Sequence, residues 1–110
     1  MSQLESAVEA HLIRAVLRAG ALTFKLAPTT AGVPDRLVVW PTGRVDFVEV
    51  KAEGGRLSSI QKVRIRDLEA NAANVFVVTG RAEVDAYCDE AAAEGAAQPR
   101  HRVSAGSSWD

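Results

Sequence analysis

Two short motifs in the middle of the chain carry side chains suited to metal-assisted chemistry, Gly32-Val33-Pro34-Asp35 and Glu49-Val50-Lys51. Between them, apolar segments flank the turn-forming sequence Pro41-Thr42-Gly43-Arg44. This layout predicts a β-hairpin with strands over residues 36–40 and 44–51. One carboxylate then stands near the start of the first strand, and a Glu/Lys pair stands near the end of the second.

The predicted hairpin brings these charged groups together. Because side chains alternate across a strand, Glu49 and Lys51 share one face and lie side by side at the margin of a core. The antiparallel return brings both of them towards Asp35. Two converging carboxylates repel each other unless a positive charge lies between them, and a hard cation such as Mg²⁺, which takes oxygen ligands and keeps several waters, meets that need. Lys51 could then stabilise charge on a phosphate or on an attacking water.

The same residues also have purely structural explanations. Asp35 could be a turn residue that follows Pro34. Glu49 and Lys51 could form an ordinary ion pair on one face of a strand. Spacing alone therefore leaves the cation site as a hypothesis beside these alternatives.

Length and composition place the chain among small globular proteins. With 110 residues it can form one domain with a single core, and its contents of 47% hydrophobic and 25% charged residues are ordinary for that class. The single cysteine, Cys88, excludes an internal disulfide and suits a reducing compartment. We see no apolar run of membrane-spanning length and no signal peptide, so we expect a cytoplasmic protein without a membrane partner.

The charge distribution is uneven although the formal net charge is only −1. Residues 14–81 hold 11 of the 13 Lys and Arg residues but only six of the 14 Asp and Glu residues. Both ends of the chain are acidic. A basic middle segment that includes both motifs is what a phosphate-binding surface requires, although solvated surface charges would explain it equally well.

Periodicity and capping signals predict the other elements, with a mixed sheet flanked by helices in the order α-β-β-β-α-β-α. Ser2 with Glu5, and Ser58 with Gln61, match the capping-box pattern at the starts of two helices. We expect one domain over residues 1–95 and a tail over 96–110 that is a loop or disordered. Besides the hairpin, the predicted elements are a helix over 4–19, a strand over 22–26, a helix over 59–72, a strand over 75–78 and a helix over 81–94.

The apolar pattern also predicts which side chains are buried. The run over 75–78 is continuously apolar, which is typical of a strand buried on both faces. In the first strand we expect Leu22, Phe24 and Leu26 to point inward and Lys25 outward. The buried stripes expected of the last two helices are Ile60, Val63, Leu68 and Ala72 in one, and Val84, Tyr87, Cys88 and Ala91 in the other.

The motif residues match a known family. The chain resembles the VRR-NUC nucleases, in particular the small stand-alone phage and bacterial ones, which belong to the PD-(D/E)xK superfamily with the restriction-endonuclease-like fold. The resemblance runs from the first helix to about residue 88. It depends on Glu9, Gly20, Lys25, residues 32–37 and 47–52, Gln61 and the strand over 75–78.

The resemblance implies a role for each motif residue. Asp35 and Glu49 would be the metal-binding carboxylates for Mg²⁺ or Mn²⁺, and the backbone carbonyl of Val50 would be a third protein ligand. Lys51 would be the catalytic lysine. Glu9 is similar to the first-helix acid of the superfamily, which can hold a second metal ion or a metal-bound water.

Three further sets of residues would contact the centre or the DNA. Gln61 looks like the active-site glutamine of the family, although it could be only the helix cap. Lys25 stands where relatives also carry Lys, near the scissile phosphate, although it could be only an exposed strand charge. A solvated surface position is likewise the alternative for Glu9. The predicted DNA-binding residues are Lys25, Arg36, Arg56 in a flexible Gly-rich turn, and Lys62 in the basic second helix.

As a whole, the resemblance implies a metal-dependent enzyme that hydrolyses DNA, bacterial or phage-encoded within a bacterial host. Because one small domain offers one active site, cutting branched DNA on two strands predicts a homodimer, with four-way (Holliday) junctions ahead of flaps, forks and plain duplex. The rival hypothesis is a non-catalytic DNA-binding or interaction module that retains the fold. A third is a structural phage protein whose charged hairpin has no ligand.

Overall fold

The computed structural model describes residues 2–97, and the predicted tail lies almost wholly outside them. The seven elements follow the predicted order, and the last helix continues past its expected end at residue 94. No helix among the described residues combines the length and the apolarity that crossing a bilayer needs. The elements are α1 Gln3–Arg18, β1 Leu22–Lys25, β2 Arg36–Val39, β3 Val45–Lys51, α2 Ser59–Ala70, β4 Asn74–Thr79 and α3 Arg81–Ala97.

The four strands form one mixed sheet in the order β1-β2-β3-β4. Strand β2 is antiparallel to both β1 and β3, whereas β3 and β4 are parallel. In the hairpin Arg36 pairs with Val48, and the same register continued by one residue brings Asp35 level with Glu49. The predicted hairpin is therefore confirmed, and its pairing carries the two acids to the same end of the sheet.

The core lies on the side of the sheet that α1 and α3 cover. Val38, Val48 and Val50 point to that side and are at most 1% exposed. The predicted inward face of α3 is confirmed, since all four of its expected residues are buried. The helices contribute Val8, Leu12 and Val16 from α1, and Val84, Tyr87, Cys88 and Ala91 from α3.

A buried carboxylate ties the hairpin to α3. Asp46 is 0% exposed and accepts hydrogen bonds from Trp40 Nε1 at 3.0 Å and from the Tyr87 hydroxyl at 2.5 Å. The Arg44 Nε also donates to it at 3.0 Å. Burial and the neighbouring Asp46 charge raise the pKa of Tyr87 far above its usual value, so the phenol stays protonated and donates. The charge and the hydrogen-bonding capacity of the Asp46 carboxylate are therefore satisfied inside the core.

The burial predicted for β1 is wrong. Leu22 and Phe24 are 55% and 52% exposed, and Leu26 is only half-buried. Thr23 and Lys25 instead point to the α1 side, where Lys25 reaches Glu9 of that helix. The strand presents its apolar residues to the other side of the sheet, which α1 and α3 do not cover. The alternation correctly predicted which side chains of β1 share a face, but the face that we expected to be buried is the exposed one.

The burial predicted for α2 and β4 also needs correction. No residue of α2 is buried, and Ile60 and Val63 are 42% and 44% exposed. Leu68 is half-buried and Ala72 is exposed beyond the end of the helix. In β4 only Val78 is buried among the four apolar residues, because this strand forms an edge of the sheet rather than its centre.

Candidate active site

The two acids of the motifs meet at the end of the β2–β3 hairpin. Glu49 is 7% exposed, whereas the Asp35 side chain remains 30% exposed. Burial raises the pKa of Glu49, and the negative charge of Asp35 raises it further, against a lowering by Lys51. The acids are thus close enough to repel each other, as expected of a pair that shares a cation.

The backbone beside Glu49 offers a third oxygen. The Lys51 carbonyl points to β4, where it accepts from the Gly80 N–H at 3.0 Å. Because successive carbonyls of a strand point to opposite sides, the Val50 carbonyl points towards β2. The hairpin register places Pro34 level with Val50 there, and proline has no N–H to donate. The Gly-x-Pro-Asp motif therefore leaves the Val50 oxygen without a strand partner at that position.

Lys51 lies between two carboxylates. Its ammonium is 3.5 Å from Glu49 Oε2 and 3.9 Å from Glu5 Oε1. The side chain is 16% exposed, so the charge is largely withdrawn from solvent. The same-face ion pair that was the structural alternative for Glu49 and Lys51 is present, and it sets the ammonium beside the acid of the proposed site.

Gln61 both caps α2 and contacts the site. Its Oε1 accepts from the Ser58 N–H at 2.9 Å, which completes the predicted capping box. Its Nε2 donates to Glu49 Oε2 at 3.1 Å. The loop that carries Asp35 packs against the start of this helix, since a Cβ on Gly32 would lie 2.5 Å from the Ile60 carbonyl oxygen. Glycine at this position therefore permits the approach that brings Gln61 to Glu49.

Glu9 is a buried member of the cluster rather than a solvated charge. It is 8% exposed, and its Oε2 accepts from Arg36 at 2.9 Å and from Lys25 at 3.3 Å. Burial raises the pKa of Glu9, but the hydrogen bonds and charges of Arg36 and Lys25 outweigh that effect and lower it overall. Lys25 also lies 3.5 Å from Asp35 Oδ2, and its pKa is raised chiefly by the hydrogen bond to Glu9.

Replacing Glu9 with glutamine should reduce stability in a pH-dependent way. The folded-state pKa of Glu9 lies below its ordinary value of 4.5, so the stability that its charge contributes is complete above pH 4.5 and is lost as pH falls through the lower folded-state pKa. We expect Glu9→Gln to cost about 1–3 kcal/mol at neutral pH, because Arg36 loses its partner. Urea unfolding across this pH range should show the gap to wild type narrowing in acid. The exposed Glu69→Gln is the control, and a constant gap for Glu9→Gln would contradict this account.

The predicted DNA-binding residues differ in their exposure to solvent. Arg36 does not face solvent, since its side chain is 7% exposed and donates to Glu9 and to Thr23 Oγ1. Its placement indicates that it holds Glu9. Arg56 in the loop after β3 and Lys62 next to Gln61 are exposed, as is the Lys25 side chain at 54%. DNA contacts by these residues stay predictions.

The sequence argument missed Glu5 as a neighbour of the site. We expected Glu5 to complete a capping box, but the Ser2 hydroxyl accepts only its N–H, while its carboxylate turns to Lys51. Glu5 precedes Glu9 by four residues, so both lie on the same side of α1. That spacing was the available signal. Nothing comparable in the sequence indicated that Arg36 would be buried against Glu9, because that contact depends on where α1 packs.

The donor set fits a small hard cation. Among residues 2–97, no group of three or more His, Cys, Asp or Glu side chains is arranged to hold a metal ion. Mg²⁺, however, is commonly bound through one or two carboxylates and keeps several waters. Asp35, Glu49 and the Val50 carbonyl match that requirement, and burial together with the charge of Asp35 raises the pKa of Glu49 despite the nearby Lys51.

Comparison with known proteins places this site in a family. The family model described as the VRR-NUC domain matches residues 2–82, which include every residue of the candidate site. The chain belongs to the VRR-NUC family. Family membership supports a nuclease function.

Two relatives show how far the VRR-NUC similarity extends. The chain is 41% identical over 58 residues to "Putative nuclease p44" of Acyrthosiphon pisum secondary endosymbiont phage 1, covering 52% of this chain and 62% of that protein. The match thus spans less than two thirds of the phage protein. A solved structure, a VRR_NUC domain, superposes with a TM-score of 0.72 at 27% identity, covering 80% of this chain and 97% of its own. The VRR-NUC fold is therefore shown.

Proposed function

We propose that this VRR-NUC protein is a metal-dependent nuclease that hydrolyses phosphodiester bonds in DNA. The observation that carries the proposal is the convergence of Asp35, Glu49 and Lys51 at one end of the sheet, where burial and then the charge of Asp35 raise the pKa of Glu49. A Mg²⁺ or Mn²⁺ ion held there would supply a Lewis acid for a phosphoryl oxygen and for the attacking water.

The protein groups around the ion have separate tasks in this proposal. The Lys51 ammonium offsets the charge that develops on the phosphate in the transition state. Gln61 keeps the Glu49 carboxylate in place through the 3.1 Å hydrogen bond to Oε2. Arg56 and Lys62, both exposed and on either side of the α2 start, would bind DNA phosphates.

We further propose that the enzyme is a homodimer that prefers branched DNA, with four-way junctions first. The described residues of one chain form one candidate centre, whereas symmetric cutting of a junction needs two such centres. The sheet side opposite α1 and α3 favours self-association, because Leu22, Phe24 and Val45 are 55%, 52% and 41% exposed there. Interfaces between permanent partners are apolar surfaces of this kind. A second copy of the chain is the occupant we propose for this face.

One assay tests the proposed activity and its substrate. Purified protein is incubated with junction, fork, flap and duplex DNA, with Mg²⁺, with Mn²⁺ and with chelator, and the products are separated on denaturing gels. We expect metal-dependent cleavage that is fastest on junctions, together with a dimeric mass in sedimentation at micromolar concentration. Salt-sensitive binding without cleavage would instead identify a non-catalytic binding module. Cleavage by a monomer would retain the nuclease and refute the dimer.

A further inference from the structure

A lysine stands between two carboxylates of the centre. Lys25 Nζ is 3.3 Å from Glu9 Oε2 and 3.5 Å from Asp35 Oδ2. The same Glu9 oxygen also accepts from Arg36 NH1 at 2.9 Å. The first-helix acid, to which the family resemblance assigns either a second metal ion or a metal-bound water, is thus already engaged by two cationic side chains.

These contacts bear on how many ions the centre can hold. A second ion bound by Glu9 and Asp35 would occupy the space in which the Lys25 ammonium lies. It would also have to displace or face the guanidinium of Arg36, whose side chain is 7% exposed and has little access to solvent. A guanidinium does not lose its proton in a protein, so this charge stays in place.

The charge balance favours a single ion. The centre contains four carboxylates and three cationic side chains, which leaves one negative charge. One divalent ion and one phosphodiester group then bring the total to neutrality, whereas a second ion would leave two positive charges in a partly buried place. The groups counted are Glu5, Glu9, Asp35 and Glu49, with Lys25, Arg36 and Lys51.

We propose that Lys25 takes the place of a second divalent ion, so that each chain binds one ion, at Asp35 and Glu49. This inference rests on the proposed metal-dependent function and specifies its mechanism. Lys25 suits the task because its stem comes from edge strand β1 and its side chain is 54% exposed, so the ammonium can also face a bound phosphate. Lys25 is a positioning residue for the two acids.

Ion binding without DNA tests the proposal. Mn²⁺ is titrated into the full chain, and the bound ion is counted by electron paramagnetic resonance and by calorimetry. We expect one ion per chain in the wild type. In Lys25→Gln, removal of the neighbouring positive charge should tighten ion binding on the order of tenfold. The control is Arg14→Gln, which removes one positive charge from an exposed position of α1 and should leave ion affinity unchanged.

The outcomes separate this inference from the proposed function. Two ions of comparable affinity per wild-type chain, or equal affinities in Lys25→Gln and Arg14→Gln, would overturn the role of Lys25 while leaving a metal-dependent nuclease. Absence of ion binding in the wild type would overturn the metal centre itself. A second ion that enters Lys25→Gln but not the wild type would be the strongest support. Circular dichroism of each variant verifies that it is folded.

Discussion

Replacing Lys51 with alanine should lower the rate of DNA cleavage by about 10²–10³-fold, the loss typical of removing one charge-stabilising donor from an active site. The ammonium lies 3.5 Å from Glu49 Oε2 on a side chain that is 16% exposed, whereas Lys25 of the same centre contacts Glu9 and Asp35 instead. Single-turnover cleavage at saturating enzyme isolates this effect from binding. Lys51→Arg should not restore the rate, because a planar guanidinium differs from an ammonium in shape and hydration.

Two companion variants show whether the loss comes from the chemical step. Asp35→Ala should abolish cleavage and also weaken Mn²⁺ binding, because it removes a ligand, whereas Lys51→Ala should retain the ion. Lys62→Ala should leave the single-turnover rate nearly unchanged but weaken DNA binding and lower its salt dependence by about one phosphate contact. Undiminished cleavage by both Asp35→Ala and Lys51→Ala would refute the assignment of this site.

Replacing Asp46 with alanine should destabilise the protein by about 3–5 kcal/mol, the usual cost of removing one partner of a buried ion pair. The carboxylate is 0% exposed, and its loss leaves Arg44, Trp40 and Tyr87 without their shared acceptor. For a domain of this size we expect the melting temperature to fall by about 12 °C or more. Differential scanning calorimetry measures this fall directly. If Asp46→Ala fails to fold, Asp46→Asn, which keeps an acceptor but not the charge, should fold with a reduced melting temperature.

The matched control for Asp46 is another acid that pairs with the same arginine. Glu90 Oε2 lies 3.4 Å from Arg44 NH1, but its side chain is 52% exposed. Glu90→Ala should therefore change stability by no more than about 1 kcal/mol, because exposed ion pairs contribute little. Similar melting temperatures for Asp46→Ala and Glu90→Ala would show that burial of Asp46 is not what stabilises the connection between the hairpin and α3.

The sequence by itself determined the order of the elements, the hairpin and the grouping of the site residues. Antiparallel pairing through a short turn leaves little freedom of register, so Asp35 and Glu49 had to approach each other at one end of β2 and β3. The capping pattern likewise placed Gln61 at the start of α2. These features follow from local geometry, which is why residue spacing was sufficient to predict them.

Only the tertiary structure decided which side of the sheet is the core and which charges meet across it. Alternation groups Leu22 with Phe24 but cannot say that α1 and α3 pack on the opposite side and leave both residues more than half exposed. The burial of Glu9 with Arg36, and the approach of Lys25 to two acids, depend on contacts between α1 and the sheet. Periodicity records which side chains share a face, whereas burial depends on what another element places against that face.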